Sequence, residues 1–152
     1  MIRYGTQEYF DELKAMLNAD VKFRELGKGC YYAKELVVVK DLGIGIWQAT
    51  SDGEVGEMRI IAKREVPQYE QRSDLIYYVN DFGTMSRISR GEESFVSMVI
   101  DDRIVVKGSL KAAMKFQGAL ERMEDIVKQL TLKSLTPTEI QYRKWAGEKG
   151  YI

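Results

Sequence analysis

Six apolar residues between positions 113 and 130 set the strongest constraint on what this chain can become. Ala113, Phe116, Leu120, Met123, Val127 and Leu130 recur at spacings of three and four throughout, which is one face of an α-helix. Lys111, Lys115, Glu121, Glu124 and Lys128 fill the other side. A helix of this kind owes its stability to what its apolar face lies against. The rest of the chain must therefore supply a surface wide enough to receive it. Gly108-Ser109 stands just ahead of the stripe and predicts where this longest helix is capped.

That surface is a sheet. Strands are expected over about 31–40, where Val37, Val38 and Val39 lie near the end, over about 43–50, and over about 54–64. In the second, Ile44 and Ile46 oppose Trp47 and Ala49. In the third, Met58, Ile60 and Ala62 alternate with Glu57, Arg59, Ile61 and Lys63. Asp52-Gly53 joins the second and third strands with a pair suited to positive φ, and Lys40-Asp41-Leu42-Gly43 is a turn between the first two. The three make an antiparallel meander. Residues 64–73 read as a polar connection, followed by a fourth strand at Leu75–Val79 and a fifth at Arg103–Lys107.

Helices flank these strands. Thr6 is a good N-cap for a helix carrying Phe10, Leu13 and Leu17, and Asp20 caps a shorter one with Val21, Phe23 and Leu26. Asn80-Asp81 opens a helix with Phe82, Met85 and Ile88 that ends near Gly91. Another short helix carries Phe95, Met98 and Val99. In the tail, Thr136-Pro137-Thr138-Glu139 reads as a capping box, predicting a helix over 137–146 with Ile140 and Trp145. The result is an α+β domain with helices on one sheet face and the other face free to meet solvent.

Composition narrows the function classes. The chain has 152 residues, 23 basic and 23 acidic side chains, and no histidine. Zero net charge argues against a nucleic-acid partner held by counterion release. Without histidine, triads and His-ligated metals built on that side chain are excluded. One cysteine, Cys30, forms no intrachain disulfide. No apolar run reaches the ~20 residues that span a bilayer, so the expectation is a soluble, cytoplasmic protein. Gly43-Ile44-Gly45 lacks the third glycine and the following helix of a dinucleotide site. Asp101-Asp102 and Glu92-Glu93 lack the ligand ladder of a calcium loop. Arg87 and Arg90, one helical turn apart, are candidate donors for an anionic headgroup at a cavity mouth.

The run MVIDDRIVVKGSLKAAMKFQ, from Met98 to Gln117, is similar to the hallmark of the sterol carrier protein type-two family. It has the short strand ending in a Val-Lys-Gly turn, then a helix opening Leu-x-x-Ala-Met-Lys-x-Gln. Asp81-Phe82 through Gly91 resembles that family's short helix, and YFDELKAMLNADVKFRELGKG its two N-terminal helices. The likeness covers about residues 6–130. Asp101-Asp102 replaces the family's usual glycine and lysine, and the tail after Leu132 is longer than the minimal domain.

The resemblance implies a five-stranded, mostly antiparallel sheet covered by helices. It also implies an apolar tunnel for lipids, sterols or acyl chains, no catalysis and no cofactor. It divides the chain into a lipid-binding domain, 1–132, and a helical extension, 133–152, expected to close over the cavity mouth or the sheet edge. The expected ligand-binding residues are Phe82, Met85 and Ile88 on one helix, Phe95 and Met98 on the next, and Met114 and Phe116 on the long one. Gln117 joins them by its place in the family pattern. The expected partners are a lipid or fatty-acyl molecule and, at most transiently, a membrane. A sixteen-carbon chain would gain about 0.8 kcal/mol per methylene, roughly 13 kcal/mol, against about 4 kcal/mol or more lost on association. The competing expectation is an interaction or subunit module whose core is filled.

Overall fold

Five strands, β1 (Ala33–Val39), β2 (Gly45–Ser51), β3 (Glu54–Ile61), β4 (Leu75–Val79) and β5 (Val105–Gly108), form one sheet in the order β3-β2-β1-β4-β5 in a computed structural model that describes residues 1–152. The meander is as expected: β1 pairs with β2 and β2 with β3, both antiparallel. Asp52 and Gly53 have φ of 50° and 73°, the positive values that a tight hairpin of right-handed twist demands. The seam between β1 and β4 is parallel, with Val37 opposite Tyr77, and β5 then runs antiparallel to β4. The fifth strand begins two residues later than expected. The sheet is mixed, with three of its four seams antiparallel.

A parallel seam needs a crossover, and here the expectation of a polar connection is corrected. Residues 64–73 are mostly helical: a 3-10 turn at Lys63–Glu65, then α3 in the numbering used below, Val66–Arg72, with Pro67 in its first turn. Two apolar side chains, Val66 and Tyr69, are too few to give a helical period. They find partners across the sheet instead, where they pack with Leu36, Val38, Trp47, Ile61 and Ile76. Trp47 is fully buried, and the Arg72 guanidinium lies 4.9 Å from its ring centroid. The face left free for solvent in the sequence reading is thus covered in its middle.

The opposite face holds the main core of 28 buried residues. Over it lie α1 (Gln7–Ala19), α2 (Val21–Gly27), α4 (Phe82–Ser89), α5 (Phe95–Ile100) and α7 (Gln117–Leu132). The caps work as the sequence indicates. The Thr6, Asp20 and Asp81 side chains accept from the backbone N–H of Tyr9, Phe23 and Thr84. Asp20 also takes a bidentate pair from Arg122 at 2.8 and 2.9 Å, tying the start of α2 to α7.

The long stripe is not one helix. Ser109 caps a short α6 (Leu110–Met114), and the backbone then breaks at Phe116, with φ −118° and ψ 24°, before α7 begins. Ala113 and Phe116 are both buried, so the stripe's burial is kept while its backbone bends. The bend turns the Phe116 ring flat onto Tyr31, with centroids 4.2 Å apart and planes 8° apart. The tail helix also differs: α8 runs Glu139–Glu148, and its capping box pairs Thr138 with Gln141 rather than Thr136 with Glu139. No helix is long and apolar enough to cross a membrane.

Candidate functional site

Alternation decides which side chains β1 sends toward the helices. Ala33, Val37 and Val39 belong to the main core, and Glu35 shares their parity. In register with Glu35 stand Gln48 on β2 and Leu75 on β4, and Gln48 in turn faces Met58 on β3. One row across the middle of an otherwise apolar face is therefore half polar.

Above that row the helices leave a cavity of about 130 Å³. Fifteen of its nineteen bordering residues are apolar or aromatic. The sheet supplies Val37, Ile46, Met58 and Tyr77. The helices supply Phe10 and Leu13 from α1, Met85 and Ile88 from α4, Phe95 from α5, and Leu120, Met123 and Val127 from α7. The polar members are Glu35, Gln48, Ser89 and Glu124. A second cavity, also about 130 Å³, lies on the other side of Tyr77, Phe95 and Leu120, which border both. Tyr77 and Phe95 meet edge to face at 5.0 Å, so one aromatic pair partitions the two spaces. The outer cavity is rimmed by Ile100, Leu110 and Met114, all exposed.

The structure divides the eight sequence-expected residues among three places. Met85, Ile88 and Phe95 border the inner cavity. Met114 and Gln117 border the outer one, again with Phe95, and the Gln117 amide donates to Glu121 at 2.9 Å. Phe82, Met98 and Phe116 are buried in the core and border neither: Phe82 stacks on Tyr142 at 4.8 Å and Phe116 on Tyr31. Arg87 and Arg90 border neither cavity. Arg87 pairs with Glu93 and donates to Thr84, while Arg90 pairs with Glu92 at 2.6 Å and donates to Ser86.

Glu35 escapes the sequence reading, although its signal is present. In Tyr31-x-Ala33-x-Glu35-x-Val37-x-Val39 a carboxylate sits on the buried parity of the central strand. Its side chain is 5% exposed. It accepts from the Tyr31 hydroxyl through one oxygen and from the Tyr77 hydroxyl, at 2.8 Å, through the other. Gln48 donates to Tyr31 at 3.2 Å and to Thr50 at 3.0 Å, completing the network. Burial pushes the Glu35 carboxyl above the usual carboxylate range, against the lowering effect of the two tyrosine bonds. Burial and the neighbouring carboxyl push both tyrosines upward in turn. Glu124, on the opposite wall, is also raised by burial. It accepts from the Phe95 backbone N–H and from Ser94 at 3.3 Å, so it caps α5.

The tail meets this region through one residue. Tyr4 borders the inner cavity and also a polar groove of about 410 Å³ lined by Thr136, Pro137, Gln141 and Tyr142. Its hydroxyl lies 2.7 Å from Ser89, and burial raises its pKa to about 12. Beyond it, the Tyr142 hydroxyl donates to the Gly5 carbonyl at 2.7 Å. The last residues reach the end of edge strand β3, where the Lys63 N–H donates to the Tyr151 carbonyl at 2.8 Å.

A five-stranded mixed sheet in the order β3-β2-β1-β4-β5, with most of its helices over one face, has the sterol carrier protein type-two fold. The crystal structure of sterol carrier protein 2 superposes with a TM-score of 0.68 at 13% identity, over 82% of this chain and 96% of that one. A conserved hypothetical protein of Thermus thermophilus, described as possibly a sterol carrier protein, gives 0.71 at 12% identity, over 91% of this chain and 94% of its own. A stereoselective inverting sec-alkylsulfatase of a Pseudomonas species also contains the fold, with a TM-score of 0.51 at 16% identity over 74% of this chain, but over only 16% of the sulfatase. No protein-family model and no curated protein matches the sequence. At these identities the likeness is one of fold.

Proposed function

We propose that this chain binds a lipid or fatty-acyl ligand non-covalently between its sheet and its helices, and transfers it without chemical change. The observation that carries the reading is the apolar inner cavity on a fold shared with a sterol carrier protein. That cavity favours this reading over an interaction module with a filled core. Met85, Ile88 and Phe95 would touch the guest in the inner space, and Met114 and Gln117 in the outer one. Phe82, Met98 and Phe116 would hold the surrounding walls.

Volume limits how the guest is seated. A cavity of about 150 Å³ takes a molecule the size of benzene, so about 130 Å³ does not hold a sixteen-carbon chain. A long chain needs both cavities, and Phe95 is the side chain whose rotation would join them. Cargo would exchange during brief contact with a membrane. The exposed Ile100, Leu110 and Met114 lie in the same stretch as Lys107, Lys111 and Lys115, a combination suited to an anionic lipid surface.

The test is organic extraction of the purified protein, followed by mass spectrometry, beside displacement of a fluorescent fatty acid. A co-purifying lipid and saturable displacement are expected. Finding neither would overturn the proposal.

A further inference from the structure

The inner cavity is bordered by two carboxyl groups and by no lysine or arginine. Glu124 is occupied in capping α5. Glu35 is different. It sits in the middle of the central strand, it is 5% exposed, and no cation is among its partners. A carboxylate offers about four acceptor positions. The two tyrosines fill one on each oxygen, which leaves acceptor capacity at the cavity floor.

The donors nearby are already used. The Tyr31 and Tyr77 hydroxyls point at Glu35, and the Gln48 amide is shared between Tyr31 and Thr50. A ligand that leads with an anion would therefore meet a carboxyl group on the cavity floor, where the neighbouring donors are used, and lose its hydration; the wall hydroxyls of Tyr4 and Ser89 are paired with each other, and that of Tyr9 with Thr131. A ligand that leads with a hydroxyl or an amine would meet an acceptor that lacks only a partner.

We infer that the cavity selects apolar ligands whose inward end carries an O–H or N–H donor over those that lead with a carboxylate, and that Glu35 makes this selection. The inference rests on the reading of the cavity as a ligand site and narrows its ligand class.

The protein carries its own reporters. Met58, Met85 and Met123 border the inner cavity, whereas Met1 is exposed, borders neither cavity and serves as the control. The full-length protein, with carbon-13-labelled methionine methyl groups, is titrated at neutral pH with octan-1-ol, octylamine and octanoate, and the methyl shifts are followed by NMR. In the wild type, the alcohol or the amine should move the three cavity methyls at a concentration about tenfold or more below that needed for octanoate. In Glu35→Gln, which keeps the shape and replaces the ionisable carboxyl with an amide that can donate, octanoate should recover most of that gap. Equal or tighter binding of octanoate to the wild type overturns the inference and leaves the ligand site standing. A preference that survives unchanged in Glu35→Gln overturns the role of Glu35. If none of the three moves the cavity methyls, the ligand site itself falls and the selection with it. The wild-type comparison decides the matter even where the variant folds poorly.

Discussion

Glu35 and Asp20 are both hydrogen-bonded carboxylates, yet they act on stability in opposite directions. Burial raises the Glu35 pKa, so the folded protein holds that proton more tightly than the unfolded chain. Its contribution is full below the unfolded value and is lost as pH rises through the folded value. Tyr31, Tyr77 and the more distant Asp74 are the titratable groups that act on it. Glu35→Gln should therefore gain on the wild type as pH is raised from about 4 to about 7, in urea denaturation. A difference that does not change with pH would contradict the raised pKa. Asp20 is the reverse: hydrogen bonds from Arg122, and secondarily from the Phe23 backbone N–H, hold its carboxyl below the usual range. Its contribution is present above the unfolded value and is lost as pH falls through the folded one. Asp20→Ala should cost about 1–2 kcal/mol near neutral pH, since it removes an N-cap and a paired charge, and the cost should shrink in acid. A constant penalty would assign the effect to packing alone. Asp20 was legible in the sequence because capping is a matter of three neighbouring residues. Glu35 was legible only once the parity of its strand is read through, because the Val37-Val38-Val39 run hides the alternation that marks it.

Elements were readable wherever their cause is local. The Asp52-Gly53 hairpin, the caps of α1, α2 and α4, and the span Leu75–Val79 all follow from turn chemistry and short-range pattern. The elements misread are those whose cause lies across the molecule. α3 exists because Val66 and Tyr69 pack onto Trp47 of β2, on the sheet face away from the main core, and α6 separates from α7 because Phe116 turns onto Tyr31. The tail belongs to the second kind. Its start signal is local, while its position is set by Tyr142, which is 4% exposed and stacks on Phe82 beside Tyr4. Removing residues 133–152 would uncover Phe82 and the outer side of Tyr4, the residue that walls off the inner cavity. Release of a bound fluorescent fatty acid, followed by stopped flow after dilution into acceptor vesicles, should then be faster than from the full chain. An unchanged rate would show that the tail supports the fold without closing the site.

At the scale of the whole molecule, the order of helices and strands is a pattern and was readable, whereas the volume between the layers is not. Void space is the small remainder after close packing fills the interior to the density of an organic crystal. One aromatic rotamer changes it more than any feature of the hydrophobic pattern does. Phe95 is that rotamer here, since it borders both cavities with Tyr77 and Leu120. The affinity of the wild type for a series of straight-chain alcohols should therefore rise by about 0.8 kcal/mol, roughly fourfold, per added methylene while the inner cavity fills. It should then level off at the length where the chain meets the partition. Phe95→Ala takes away one side of the partition and leaves Tyr77 and Leu120. It should cost stability without ligand, by less than the ~3 kcal/mol or more of a fully buried Phe→Ala, because Phe95 is only partly buried. The levelling-off should move to longer chains, and saturating long alcohol should restore stability, by about 2.7 kcal/mol at a hundred times Kd. Isothermal titration across the series, with urea denaturation of both proteins, measures all three quantities. If the break in chain length stays where it is in the variant, the two cavities are independent, and long ligands must be seated by movement of whole helices.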